Sequence, residues 1–279
     1  MTEVEATVAS TTASSIPEWF VIVILGIVEG ITEFLPISST GHLLLAQQWL
    51  PAQSDVFNVV IQSGAVIAVL FVFKQRSIEL VTQWRKPEIK DYLIKMGAAF
   101  FITCVGGLIL KATNFELPDE AQPIAIALIV GGILFIWLET VLRGKELTDT
   151  VTWNVAILIG IGQLIAAIFP GASRSGTTIV IAMALGLSRK MAVEFTFLLG
   201  VPTLLAAGAV KMLGALKDEG GIQEDLGMLA LGTIVSAITA FIAVKWLLGF
   251  LQKYTFVAFG WYRVILGVLV ILLLGTGAK

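Results

Sequence analysis

Residues 26–42 of this 279-residue chain, GIVEGITEFLPISSTGH, interrupt a long apolar segment with two glutamates, a proline and a run of hydroxyl side chains. A second interruption of the same kind, GIGQLIAAIFPGASRSGTT, occupies residues 160–178. A shift of 134 residues aligns four positions of the two stretches: Gly26 with Gly160, Glu29 with Gln163, Pro36 with Pro170 and Ser39 with Ser173. Because this shift is close to half of the chain length, we predict two structural repeats, about residues 16–142 and about residues 151–279.

The composition places the chain among integral membrane proteins. Apolar residues make up 57% of it, charged residues make up 14%, and its mean hydropathy is +0.93. A soluble domain carries about 25% charged residues, because it must cover its apolar core with a solvated surface. The net charge of −2, without a basic stripe, argues against a nucleic-acid partner. The single cysteine excludes an internal disulfide, and the single histidine, His42, excludes any mechanism that needs two histidines.

The lengths of the apolar segments favour an all-α integral membrane protein with six full transmembrane helices. A span needs about 20 apolar residues to cross a hydrocarbon core of about 30 Å. Six segments qualify: residues 56–73, 93–110, 122–142, 192–210, 226–244 and 256–275. The pieces beside the two breaks are too short: residues 19–35 and 43–50, and residues 155–169 and 177–187. We therefore predict two re-entrant helix–break–helix hairpins, which fit the lengths better than eight plain spans would.

The predicted domain organisation and orientation follow from the repeats and from the loop charges. A disordered tail is expected at residues 1–15, before a single membrane domain at residues 16–279. Residues 74–95 hold six basic and three acidic residues, whereas residues 111–120 hold one basic and three acidic. Since basic loops stay in the cytoplasm, both termini are predicted outside the plasma membrane. Each repeat then crosses an odd number of times, so the second copy is inverted and the two breaks meet inside the membrane.

Glu29 and Glu33 form the first candidate site. Four residues apart on a helix, they share one face. A charge at membrane depth costs at least about 2.5–3.5 kcal/mol, so a pair of carboxylates there calls for a reason. The functional interpretation is a site for a hard divalent cation or for acid–base chemistry. The alternative is a helix-end pair wetted by a cavity, without chemistry.

The two hydroxyl-rich runs form the second candidate site, which is suited to an anion. Each run precedes a short helix, whose first N–H groups and hydroxyls can bind phosphate oxygens. The candidate residues of this site are Ser38, Ser39, Thr40 and His42 in the first run, and Ser173, Arg174, Ser175 and Thr178 in the second. Ordinary helix capping explains the hydroxyls but not a membrane-depth arginine, and the planar fork of arginine suits phosphate.

Three further polar side chains lie within apolar segments. Gln62 either lines the site or joins two helices. Glu194 and Arg263 lie near predicted cytoplasmic helix ends, where snorkelling or a structural ion pair is the expected role.

These motifs resemble those of the bacterial undecaprenyl-diphosphate phosphatases of the BacA/UppP type. The resemblance rests on EGITEFLP at residues 29–36, SSTGH at residues 38–42 and PGASRSG at residues 170–176. Further similarity lies in the dipeptide at residues 61–62, in EFTFLL at residues 194–199 with Pro202, and in Tyr262 with Arg263. It extends from about residue 20 to the last span.

The resemblance implies a plasma-membrane enzyme that hydrolyses undecaprenyl diphosphate, recycles the lipid carrier for cell-wall synthesis and confers bacitracin resistance. It also implies dependence on a divalent cation, Mg²⁺ or Ca²⁺, and a site that opens to the outer face. Residues at the functional positions of the family are Glu29, Glu33, Ser39, His42, Ser173, Arg174 and Thr178.

We assign the cation to the two glutamates and the phosphate oxygens to Arg174 with the neighbouring hydroxyls and Gln62. Ser39 is the favoured nucleophile with His42 as its general base, and His42 as a direct nucleophile stays open.

The rival hypothesis is a secondary transporter or a carrier-lipid flippase, because inverted repeats with broken helices are typical of transporters. Membrane lipids are expected partners in either case. A homodimer stays open as well, since an apolar dimer surface cannot be told from a lipid-facing one by sequence.

Overall fold

The computed structural model describes residues 16–113, 121–217 and 225–274. The tail predicted at residues 1–15 lies outside these ranges. Within them the chain forms eleven helices and no strand: α1 Glu18–Thr32, α2 Ser39–Ala46, α3 Asp55–Val72, α4 Lys74–Thr82, α5 Pro87–Ala112, α6 Ala121–Val141, α7 Trp153–Ile168, α8 Arg174–Ala184, α9 Arg189–Ala215, α10 Leu226–Phe250 and α11 Val257–Leu274.

The helix lengths confirm an all-α, multi-pass membrane protein. Five helices, α5, α6, α9, α10 and α11, are long and apolar enough to cross a bilayer. The chain turns by 79° between α3 and α4, so this bent pair is a sixth candidate span. Large apolar side chains such as Phe101 and Ile133 remain more than half exposed on these helices, as lipid-facing side chains do.

Two helix pairs are interrupted where the sequence predicts the breaks. Helix α1 ends four residues before Pro36, and α7 ends two residues before Pro170. The longer of these two helices, with 16 residues, extends about 24 Å and falls short of a bilayer core.

The helices that follow the breaks begin in the same unusual way. Ser38 (φ 72°) and Ser173 (φ 69°) are the non-glycine residues with positive φ in the described ranges. Each is an N-cap whose hydroxyl accepts the N–H of the third residue on, Gly41 or Gly176. A left-handed serine costs about 1–2 kcal/mol, which the caps and the surrounding contacts must offset.

These caps correct the alignment of the two stretches by one residue. The caps Ser38 and Ser173 are 135 positions apart, because the second break has one more residue between its proline and its serine. The pairing of Ser39 with Ser173 was therefore wrong. Ser39 corresponds instead to Arg174, since each is the first residue of its helix.

The two halves of the chain pack on each other reciprocally. Helix α1 packs on α10, and its counterpart α7 packs on α5. The hydroxyl of Thr239 lies 3.4 Å from the carbonyl oxygen of Gly26, and the hydroxyl of Thr103 donates to the carbonyl of Gly160 at 3.1 Å. Glycines permit this close approach, since a Cβ on Gly26 would lie 2.9 Å from a backbone oxygen of α10.

A buried carboxylate joins three helices away from the breaks. Glu139 on α6 is 4% exposed and accepts both Nε–H and an Nη–H of Arg189 at the start of α9. It also accepts the backbone N–H of Phe256 at 3.0 Å, just before α11. Glu139 thereby joins the C-terminal end of α6 to the N-terminal ends of α9 and α11.

Candidate active site

The two breaks are in direct contact through an ion pair. The Nη2 of Arg174, the first residue of α8, lies 3.3 Å from Oε1 of Glu33, which follows α1. The hydroxyl of Ser175 donates to the carbonyl of Leu35 at 3.2 Å. Residues about 140 positions apart thus form one polar cluster, as the two candidate sites of the sequence require.

Glu33 connects a hydroxyl to a guanidinium. Ser39 donates its hydroxyl proton to Oε2 of Glu33 at 2.9 Å, while the other carboxylate oxygen faces Arg174. Ser39 and Arg174 begin helices α2 and α8, so both first turns point N–H groups toward this region. The arrangement places a hydroxyl, a carboxylate and a guanidinium within one hydrogen-bonded chain.

Arg174 is held in place but keeps free donors. Its guanidinium lies 5.3 Å above the ring of Phe34 and packs against Gly200 of α9, where a Cβ would come within 2.5 Å of Nη1. Both Nε and Nη1 are buried, and neither has a hydrogen-bond partner among the described residues. A buried, unpaired donor is costly, and an anion placed here would satisfy it.

Glu29 is the most buried carboxylate of the site. Its side chain is 0% exposed, and neither carboxylate oxygen has a hydrogen-bond partner within the described part of the chain. Glu33 and Gln62 are its polar neighbours. No cluster of three or more acidic, histidine or cysteine side chains occurs in the described ranges. Neighbouring carboxylates are ligands that hard cations prefer, so Glu29 and Glu33 are the residues here that fit such an ion.

His42 does not contact Ser39, the residue it was predicted to activate. Its Nδ1 lies 2.7 Å from the carbonyl oxygen of Ser38, and its Nε2 lies 2.6 Å from the hydroxyl of Tyr262 on α11. A carbonyl only accepts, so in the neutral imidazole Nδ1 carries the proton and Nε2 accepts from Tyr262. The lone pair of His42 is therefore occupied, and the hydroxyl of Ser39 donates to Glu33 instead.

A cavity of about 660 Å³ opens beside this cluster. It brings together most of the predicted site residues: Glu33, Ser38, Ser39, Thr40, Gln62, Ser173 and Arg174. Apolar residues of α5, α7 and α9, such as Leu108, Leu164 and Ala206, form much of its wall. The cavity thus offers a polar region and an apolar region to one ligand.

Four predicted site residues lie outside the wall of this cavity: Glu29, His42, Ser175 and Thr178. The hydroxyl of Thr178 donates to the carbonyls of Arg174 and Ser175, within its own helix. That of Ser175 crosses to the first break. These two hydroxyls stabilise the loop that presents Arg174, and their protons are not directed at a ligand.

Sequence reasoning was wrong about Arg263 and did not assign Tyr262 a role. Arg263 neither snorkels nor forms an ion pair: it is 0% exposed and donates to backbone carbonyls of both breaks. Glu194, in contrast, forms a structural ion pair with Arg76 at 3.0 Å, one of the two roles expected for it. The available sign of a buried role for Arg263 was a charge inside the last apolar segment.

A polar cluster between two broken helices, inside a bundle of apolar spans, defines an integral membrane protein with a buried polar site. The family model described as "Bacitracin resistance protein BacA" matches residues 22–269, and the chain belongs to this family. The undecaprenyl-diphosphatase of Rhizobium etli is 51% identical over 255 residues, covering 91% of this chain and 96% of that protein. That of Xylella fastidiosa is 45% identical, covering 91% and 98%. The resemblance of the motifs is confirmed.

The contact of His42 with Tyr262 predicts a single tautomer for the only histidine of the chain. In ¹⁵N-histidine NMR of detergent-solubilised protein at mildly alkaline pH, we expect a protonated Nδ1 and an unprotonated Nε2. Tyr262→Phe removes the donor and should shift the Nε2 resonance. Tyr254→Phe, at an exposed tyrosine, serves as the control. An Nε2 resonance that does not move in Tyr262→Phe contradicts the contact.

Proposed function

We propose that this protein hydrolyses undecaprenyl diphosphate to undecaprenyl phosphate and inorganic phosphate. The reaction would return the lipid carrier to cell-wall synthesis and confer bacitracin resistance. The observation that carries the proposal is the chain of contacts from Ser39 through Glu33 to Arg174, between two helix N-termini. The relatives named undecaprenyl-diphosphatase support the same reaction.

Ser39 is the proposed nucleophile, and Glu33 takes the place that His42 was predicted to hold. As Oγ of Ser39 bonds to the terminal phosphorus, its proton passes to the carboxylate that already accepts it. The bridging P–O bond breaks, and undecaprenyl phosphate leaves with the electron pair. Water then attacks the phosphoserine, inorganic phosphate is released, and the hydroxyl regains a proton.

Arg174 and the two helix N-termini would bind the phosphate oxygens. The free Nε–H and Nη1–H of Arg174 can donate to a phosphoryl group beside Ser39. Phosphoryl transfer needs mainly positioning and charge stabilisation, which fixed donors in a site shielded from water supply well. Ser173 and Thr40, which line the cavity, are proposed to add hydroxyl contacts.

We assign a divalent cation, Mg²⁺ or Ca²⁺, to Glu29 and Glu33. The unpartnered, fully buried carboxylate of Glu29 supports this assignment, because an isolated charge there is costly. Gln62, a further polar neighbour of Glu29, lines the cavity beside this pair. When bound, such a cation would neutralise negative charge on the diphosphate.

The apolar part of the cavity suits the lipid portion of the substrate. Walls from α5, α7 and α9 run from the polar cluster along the helices, so a prenyl chain could leave the site without crossing water. The proposed substrate is accordingly a polyprenyl diphosphate drawn from the surrounding lipid.

We also propose the finer topology: inverted repeats, re-entrant hairpins formed by α1–α2 and α7–α8, external termini and a site open to the outer face. The paired serine caps and the reciprocal packing of α1 and α7 support the repeats. Lys111 at the C-terminal end of α5 lines the cavity, whereas the basic residues 74–95 lie at the opposite end of α5. The cavity therefore extends away from the end predicted to be cytoplasmic.

Thiol labelling of intact cells tests this orientation. With Cys104 replaced, a membrane-impermeant reagent should label a cysteine at the exposed position Gln48 directly. A cysteine at the exposed position Glu88 should react only after permeabilisation. The reverse pattern would place the site on the cytoplasmic side.

Phosphate release from pure protein in detergent tests the function. We expect release from undecaprenyl diphosphate with added cation, none after chelation, and none from Ser39→Ala. Hydrolysis needs no compartments, whereas transport does, so a wild-type protein that releases no phosphate with any cation would favour the lipid-transport hypothesis. A trapped phosphoryl group mapped to His42 instead of Ser39 would make the histidine the nucleophile.

Gly200→Ala tests the placement of Arg174 without replacing the arginine itself. The new Cβ would lie 2.5 Å from Nη1 and displace the guanidinium, so phosphate release should fall about tenfold or more at unchanged thermal stability. Gly208→Ala on the same helix is the matched control, because its Cβ would have no neighbour closer than 3.4 Å. A wild-type rate in Gly200→Ala would remove Arg174 from the site.

A further inference from the structure

Arg263 is a buried cation that contacts both breaks. Its side chain is 0% exposed, and all of its hydrogen bonds go to backbone carbonyls. Those carbonyls belong to Pro36 in the first break at 3.2 Å, Gly171 and Ala172 in the second at 3.2 and 2.9 Å, and Ala127 and Leu128 of α6 at 3.3 and 3.4 Å. One side chain thus links two segments that are more than 130 residues apart in sequence.

Its binding place is built for a guanidinium. A Cβ on Gly131 of α6 would lie 2.1 Å from Nη2, and a Cβ on Gly176 of α8 would lie 2.8 Å from Nη1. The guanidinium therefore fills space that is open because both positions are glycines. It lies directly behind the first turn of α8, the turn that begins with Arg174.

No acidic side chain in the described ranges forms an ion pair with Arg263. Its hydrogen bonds go to neutral carbonyls. Burying a cation without a counter-ion is costly, and a neutral side chain such as glutamine could bind some of these carbonyls without that cost. A positive charge retained at this place points to an anionic ligand nearby.

Holding the carbonyls also orients the amides that follow them. The peptide bonds of the described residues are all trans, so the N–H of each peptide group points away from its C=O. With the carbonyl of Ala172 on Arg263, the N–H of Ser173 points to the opposite side. Ser173 lines the cavity that holds Ser39 and Arg174.

We propose that Arg263 is a positioning residue that acts on the diphosphate without touching it. It holds the two breaks together, so that Ser39 and Arg174 reach the same phosphoryl group. Its positive charge behind α8 strengthens the binding of the anion. The inference rests on the proposed hydrolysis. It adds a second positively charged side chain, besides Arg174, to the site that the sequence motifs describe.

The test separates the charge of Arg263 from its geometry. In a Ser39→Ala background, calorimetry measures binding of methylene diphosphonate, a diphosphate that cannot be hydrolysed. Arg263→Gln should weaken this binding about tenfold or more, while Arg263→Lys should stay within about threefold of the parent protein because it keeps the charge. Arg189→Gln, which breaks the ion pair with Glu139, should lower thermal stability and leave the affinity unchanged.

The turnover number, kcat, tests the positioning role of Arg263. With Ser39 restored, Arg263→Lys should lower kcat about tenfold or more, because an ammonium cannot bridge both breaks as the guanidinium does. Gly131→Ala keeps the charge but displaces Nη2, and it should also lower kcat while binding the diphosphonate normally. Gly97→Ala, where a Cβ has no neighbour within 4 Å, is its control.

Each outcome decides a part of the inference. Equal diphosphonate affinity in Arg263→Gln and the parent protein would overturn the role of the charge. A wild-type kcat in Gly131→Ala would overturn the role in positioning, even if Arg263→Gln does not fold. Absence of phosphate release from the wild-type protein would overturn the proposed hydrolysis instead, and the binding comparison would still stand.

Discussion

Backbone groups that lie inside a membrane must find their hydrogen bonds within the protein, and this constraint governs the whole site. At each break, the first N–H groups of the following helix and the last C=O groups of the preceding helix lack partners within their own helices. The serine caps accept hydrogen bonds from backbone N–H groups of the helices that follow. Arg263 donates hydrogen bonds to carbonyls of both breaks. Ser175 adds a hydroxyl bond from the second break to the first. The two breaks are therefore held together by hydrogen bonds from Arg263 and Ser175.

The helices that follow the two breaks begin in the same way and carry different side chains there. Equivalent serine caps start α2 and α8, but the next residue is Ser39 in one half and Arg174 in the other. Likewise Glu29 of the first half corresponds to Gln163 of the second, whose amide donates to Thr103. One half provides acid and hydroxyl, the other provides a cation. Their contact through Glu33 creates a polar site that neither half contains alone.

The local features of the site were predictable, and the partners of its side chains were not. Counting three residues from Ser39 to His42 suggested a contact between them. The structure instead brings Tyr262, 220 positions away, onto the imidazole and leaves Ser39 with Glu33 on the other side of the proline. Helical spacing describes neighbours along one helix, whereas the proton acceptor of Ser39 lies across a break.

The amino-acid sequence alone was sufficient for the membrane class, the positions of both breaks and the residue types gathered there. These depend on segment length, on prolines and on capping hydroxyls, which act within a few residues. The role of Arg263 required the tertiary structure. Its distance along the chain from a helix end indicated snorkelling, but the face of α11 that carries it is covered by α6 and by both breaks. Which face of an apolar helix meets protein and which meets lipid is decided by packing, because both surroundings select the same apolar residues.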